Sequence, residues 1–291
     1  MGISHRVGGT NTCWIFLAAT QEARHLEDII FCVDVLRRRG VSDTAILVFT
    51  DHPAARSHFD PYGIANVHLL TDVASVLAKQ TFRYVVAICG GHGGQFGLEA
   101  TGAGRARLSP QELFNAISSV QQAEVAIVFL CQCYAGVFHF MDATSGTPQY
   151  VLVGSTNFYP TISTLIRLQS PLSTRDGSPG LVQWHANLYQ FSLFEWLMNP
   201  RDIDGDGEVN LVDVYKFAGV NTIARIQSVW VGLFADLRTL QDALASAEAR
   251  AEPQVVLDAY RVSIRQTLSL LYNIQEPWLL HARLASQVGI V

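Results

Sequence analysis

Residues 124–136 read EVAIVFLCQCYAG. Val125–Leu130 is short, wholly apolar and rich in β-branched residues. That pattern predicts a strand buried on both faces, and so a parallel sheet covered by helices. Cys131 and Cys133 come next, at the carboxyl end of the strand, where open α/β sheets carry their working residues. Buried cysteine is also common core material, so this stretch alone leaves packing and chemistry both open. If the strand stays extended, the two thiols share a face. Cys133 is nearer the exit, and Val137–Met141 reads as a short helix whose N-terminus would favour a thiolate. Cys133 is therefore the candidate nucleophile, with Cys131 as its packing neighbour.

A second stretch, YVVAICGGHGG at 84–94, has the same construction. An apolar strand runs out into glycines that frame His92, as tight turning or close backbone approach requires. If the two strands are neighbours, their ends bring together a thiol and the base that activates it.

The rest of the chain alternates strand and helix. Cys13–Ala19 and Ala45–Thr50 read as strands around a helix at Gln21–Arg39, whose Leu26, Ile29, Ile30, Val33 and Leu36 make one apolar stripe ended by Gly40. This unit implies a right-handed crossover. Thr71–Gln80 reads as a helix capped by Thr71, and Pro110–Val120 as one capped by Ser109. The glycines Gly97, Gly102 and Gly104 predict a hairpin in Gln95–Leu108. Tyr150–Gly154 reads as a strand, Leu181–Met198 as a buried helix, and the Pro/Gly-rich 167–180 as a cleavable loop. The His and Asp residues of 51–62 match no ligand spacing and read as surface loop.

Composition limits the function classes. With 49% apolar and 15% charged residues, the 291-residue chain is core-rich. A net charge of −5 argues against nucleic acid as partner. No run reaches the roughly 18 apolar residues of a membrane span. The first residues lack the apolar segment of a signal peptide. Five cysteines without disulfide-framework spacing point to a reducing, cytoplasmic setting.

His-Gly at 92–93, followed 41 positions later by a strand ending Cys133-Tyr-Ala-Gly136, resembles the caspase/legumain-type cysteine peptidases over roughly residues 10–215. The resemblance implies an α/β/α sandwich and endopeptidase activity with His92 as base and acid. Cys133 is then the nucleophile, and the N–H groups of Gly93 and Cys133 form the oxyanion hole. It also implies that Arg24, of the Arg24-His25 pair after the first strand, shapes the pocket for the residue before the cut, favouring an acidic or Asn side chain. Cys131 stands where family members often carry an acidic residue, and Ser155 falls on the pocket edge. No third residue orienting the dyad is evident.

Asp202, Asp204, Asp206, Asn210 and Asp213 stand at positions 1, 3, 5, 9 and 12 of a loop with Gly at 6, the EF-hand logic for Ca²⁺. The loop resembles those of dockerins, and some bacterial caspase/legumain relatives carry a similar segment. Beyond it, Ile223, Ile226, Trp230, Leu233, Leu237, Leu240 and Leu244 form a heptad stripe, continued by Leu257, Tyr260, Ile264, Leu271 and Ile274. The expected organisation is a peptidase domain at 1–220 and a C-terminal helical hairpin at 221–291. That hairpin packs on the core, associates with itself, or receives an activator. Two other readings use the same residues: a catalytically silent caspase-fold scaffold, and a calcium-responsive binding module.

Overall fold

The cysteine run forms the strand Val125–Leu130, with all six residues buried. In the computed structural model, which describes residues 2–99, 107–140, 146–271 and 275–290, it lies inside a seven-stranded sheet. Its neighbours are the histidine strand, Tyr84–Gly91, on one side and Gln149–Gly154 on the other, both parallel to it. Beyond the histidine strand come Thr12–Ala19, Ile46–Thr50 and Val67–His68, also parallel. The far edge is Trp278–Leu280, which adds antiparallel to Gln149–Gly154. The architecture is thus α/β, with a mostly parallel central sheet flanked by helices.

The period-two alternation of the strands feeds two cores. Trp14, Phe16, Ile127, Phe129 and Cys131 face one side, where helices Ala23–Arg38 and Leu188–Met198 pack. Ile15, Leu17, Ala126, Val128 and Leu130 face the other, against Val73–Leu77 and Pro110–Ser118. Each large apolar side chain buried this way contributes roughly 1.5–3 kcal/mol. Ordering a residue's backbone costs about 1–2 kcal/mol. The two-sided centre of the sheet, which carries the histidine and cysteine strands, is therefore its most firmly held part.

Local chemistry explains several boundaries. Ser109 and Glu112 form a capping box at the start of Pro110–Ser118. Gly40, at φ 81°, succeeds the end of Ala23–Arg38 in the left-handed conformation. Thr71 does not cap. It lies inside a 3₁₀ turn, Leu70–Asp72, that precedes a short helix, Val73–Leu77.

Leu181–Met198 is not one helix. Gln183–Asn187 is a strand, antiparallel to Ser163–Arg167, and only Leu188–Met198 is helical. Trp184, Ala186 and Asn187 are buried there while Gln183 and His185 are exposed. A two-residue alternation therefore runs directly into an all-round apolar helix, and Asn187 caps the junction by accepting from Gln190 N at 3.0 Å. The 167–180 loop joins these two strands. Arg175 N donates to the Pro61 carbonyl, and Leu181 N to the Tyr62 hydroxyl.

The long helix Leu211–Ala249 runs unbroken through residue 220, and Gln254–Leu271 folds back along it. Its first turns bury Leu211, Val214, Ala218, Thr222 and Ile226; beyond them only Leu237 and Ala247 are buried. No residue of Gln254–Leu271 is buried. The heptad stripe thus joins the two helices to each other more than to the core. The chain then returns, adding Trp278–Leu280 to the main sheet and pairing Val288–Ile290 with His5–Val7. Among the described residues no helix is long and apolar enough to cross a membrane. Gly102, Gly104, Met141 and Ile274, expected in a hairpin, a helix and a stripe, lie outside the described residues.

Candidate functional site

The two strand ends meet. Cys89 pairs with Leu130 in register, and Cys131 N extends the ladder by donating to the Cys89 carbonyl at 2.8 Å. Gly91, at φ 73° and packed on the Ala19 backbone, turns the histidine strand as it leaves the sheet. His92 N then donates to the Ala19 carbonyl at 2.8 Å. Gly93 lies so close to the Cys133 carbonyl oxygen that a side chain there would overlap it. Antiparallel pairing of Gly93–Gly94, Gly97–Glu99 and Arg107–Leu108 continues beyond, as the glycines predict.

His92 is half-buried, and its Nε2 stands 2.7 Å from Glu22 Oε1. The carboxylate lies off the N–H axis, so this is a charge contact rather than a directed hydrogen bond. Burial, and then the neighbouring His25, hold the His92 pKa below its ordinary value, and Glu22 works against both. The other Glu22 oxygen accepts from Arg24 Nε at 2.5 Å, while Arg24 Nη1 donates to Ser163 Oγ at 2.7 Å. Arg24 therefore sits at the same sheet edge as His92, and its fork is shared between a carboxylate and a hydroxyl.

Cys133 is partly exposed, and its thiol is met by Thr161 N at 3.2 Å and Thr161 Oγ1 at 3.5 Å. Cys133 and His92 are not hydrogen-bonded to one another among the described residues. The next residue, Tyr134, is left-handed at φ 57°, a strained conformation for a non-glycine residue that bends the chain away from the strand. Residues 157–159 hold the bend, with Tyr134 N donating to the Tyr159 carbonyl and Gly136 N to the Asn157 carbonyl, both at 2.9 Å. The chain continues as a single 3₁₀ turn, Ala135–Phe138. Among the described residues of the expected helix, through Phe140, only this turn forms, with no α-helical macrodipole at the thiol.

Two expected pocket residues do not line a pocket. Cys131 is wholly buried, its thiol pushed well up by desolvation beside Cys89 and Cys32. The alternation of the strand carries it into the core, and the chain, which leaves the strand after Leu130, bends at Gln132 between it and Cys133. Its carbonyl, not its thiol, makes the contact that matters here, accepting from Asn187 Nδ2 at 2.7 Å. Ser155 is also wholly buried; its N–H continues the ladder to the Leu130 carbonyl at 2.9 Å.

Glu22, Thr161 and Asn187 belong to the site and were not singled out from the sequence. Asn187 had a readable signal, an Asn just before an apolar helical run. Thr161 and Glu22 had none, because their roles depend on which strand ends meet.

In the acidic loop, carboxylate oxygens of Asp202, Asp204 and Asp206 lie within 4.8 Å of one another. Asp202 accepts from Gly205 N and Gly207 N, at 2.6 and 2.9 Å, which hold its carboxyl below the usual range. Asn210 and Asp213 are buried and spent on the helix start. Asn210 Oδ1 accepts from Val212 N, and Asp213 accepts from Ile203 N, Asp204 N and Asn210 N. Lys216 pairs with Asp204 at 3.0 Å. The carboxylates placed to hold a hard cation are thus three, those of Asp202, Asp204 and Asp206, rather than five ligands.

No protein-family model matches the chain, and no curated protein matches it.

Proposed function

We propose that the chain is a cysteine endopeptidase of the caspase/legumain type, with His92 as base and acid and Cys133 as nucleophile. The observation that carries this reading is the contact between Gly93 and the Cys133 carbonyl, which joins the two strand ends through their backbones. With Nε2 turned to Glu22, the His92 Nδ1 is the nitrogen that exchanges a proton with thiol and leaving amine. A neutral imidazole takes the Cys133 proton, and the thiolate adds to the scissile carbonyl. The N–H groups of Gly93 and Cys133 meet the developing oxyanion. His92 then protonates the departing amine, leaving a thioester. Water, deprotonated by His92, hydrolyses it and restores the thiol. Arg24 offers its guanidinium to an acidic or Asn side chain before the cut, in exchange for Glu22.

The resting contacts of Cys133 with Thr161, rather than with His92, favour a latent form that a substrate or activator rearranges. They equally suit a silent scaffold, the second reading. Cleavage of a fluorogenic peptide library by the wild type and Cys133→Ala, each with calcium and with chelator, separates them. Turnover that disappears in Cys133→Ala supports the peptidase. No turnover under any condition, including an active-site thiol probe that fails to label Cys133, overturns it.

A further inference from the structure

We propose that Glu22, His25 and His92 form a binding site for a divalent transition metal of the zinc class, which switches the peptidase off by occupying His92. The regulatory half of this inference rests on His92 being the general base; the metal site itself does not. One ligand atom from each of the three residues lies within 4.8 Å of the other two. The ring of His25 meets that of His92 edge-to-face, with centroids 5.2 Å apart.

His25 is the independent witness. It is 3% exposed, and neither ring nitrogen has a hydrogen-bond partner. Leaving a buried imidazole nitrogen unpaired is destabilising, and a bound cation would satisfy one of the two. His25 Nδ1 does face a carboxylate, Asp28 Oδ2, but at 3.7 Å, too far for a hydrogen bond. Asp28 is fixed in turn, its Oδ1 accepting from Trp184 Nε1 at 2.8 Å and Asn187 N at 3.2 Å. A carboxylate 3.7 Å from one His25 nitrogen would give the outer hydrogen bond that metal-ligating histidines receive once it closed on the ring.

The donors choose the metal. Two imidazoles and a carboxylate suit zinc and its neighbours, whereas calcium and magnesium take oxygen alone. Three protein ligands leave a fourth tetrahedral position open. Tetrahedral zinc–ligand bonds of about 2.0–2.1 Å place ligand atoms about 3.3 Å apart, so His92 Nε2 and Glu22 Oε1, now at 2.7 Å, must part slightly to admit the ion. Glu22, the exposed member, has the freedom to do so. Arg24, on the other Glu22 oxygen, lowers the charge the site offers and tempers its affinity.

The test uses the metal-free full-length protein, titrated with Co²⁺ for its visible absorption and with Zn²⁺ by competition. One tight tetrahedral site is expected in the wild type and in Cys133→Ser, weakened about 100-fold or more in His25→Gln. If circular dichroism shows that His25→Gln does not fold, the surface change Glu22→Gln gives the same reading of ligand loss. Equal Co²⁺ affinity in the wild type and the ligand variants overturns the site. Loss of binding in Cys133→Ser, which would make the metal a Cys–His ligand, also overturns it. Metal binding that depends on His25 in a protein without peptidase activity keeps the site and removes the peptidase reading. Peptidase activity unchanged when the site is saturated with Zn²⁺ overturns the switch.

Discussion

Gly93 and Cys133 are in backbone contact: the space a Gly93 side chain would fill is taken by the Cys133 carbonyl oxygen. His92 immediately precedes one partner, and the thiol belongs to the other. A methyl group at residue 93 must therefore push the histidine and the nucleophile apart. Displacing reacting groups by about 1 Å costs on the order of 10²-fold in rate. Gly93→Ala should lose about that much kcat and also lower the melting temperature, because the clash is with the Cys133 backbone rather than with a side chain that could swing aside. Unimpaired turnover in Gly93→Ala would mean that this contact does not set the dyad.

Glu22 should be visible in the pH profile. It opposes the burial and the His25 charge that hold the His92 pKa below its ordinary 6.5. Removing its charge in Glu22→Gln lowers that pKa further. The base works when neutral, so kcat/KM rises as pH rises through the His92 pKa. The acid limb of Glu22→Gln should accordingly move to lower pH than that of the wild type. A limb that stays put, or moves up, would show that Glu22 does not act on His92.

Asn187 ties three elements together. Its N–H donates to Asp28, its Oδ1 caps Leu188–Met198, and its Nδ2 holds the Cys131 carbonyl. Asn187→Ala loses the cap on the Gln190 N–H, worth about 1 kcal/mol, and leaves the Cys131 carbonyl without this partner, at about 1–3 kcal/mol when buried. Urea unfolding should show a loss of about 2–4 kcal/mol with an unchanged m-value. A loss under about 1 kcal/mol would mean that water replaces these bonds.

The sequence made the sheet centre readable because burial on both faces leaves its mark in composition. EVAIVFLCQC and YVVAICGGHGG show it directly, and the glycines around His92 announce a backbone approach that the structure supplies through Ala19 and Cys133. It was less informative where alternation and helical burial adjoin. Gln183–Asn187 alternates polar and apolar for only five residues before an all-round apolar helix, too short a run to stand out from the start of that helix. Cys131 shows the limit at the site itself. Its side chain keeps the period of the strand into the core, whereas Cys133 comes after a bend at Gln132 and is followed by a second turn at left-handed Tyr134. No propensity argument places a left-handed tyrosine there. Glu22 and His25 precede and open an ordinary amphipathic helix, and only the tertiary pairing of the first and histidine strands brings them to His92.

The acidic loop makes the last prediction. Asp202, Asp204 and Asp206 crowd three carboxylates within 4.8 Å, and the Gly207 and Gly205 N–H groups keep Asp202 ionised by holding its pKa down. Like charges so close repel, and Lys216 compensates only Asp204. A hard divalent cation would relieve the repulsion and add binding energy to the native state alone. At a hundredfold excess over Kd that linkage is worth about 2.7 kcal/mol. Calcium should therefore raise the melting temperature of the wild type, and chelator should lower it. Asp202→Asn gives the Gly205 and Gly207 N–H groups a weaker, neutral acceptor, so it should melt at or below the wild type in chelator and lose the calcium response. Because Asn210 and Asp213 already cap the long helix, Asp213→Ala should destabilise the protein even in chelator, through the three N–H groups it leaves unpaired. Identical melting with and without calcium would leave the loop as a capping structure whose acidic residues serve only to start the helix.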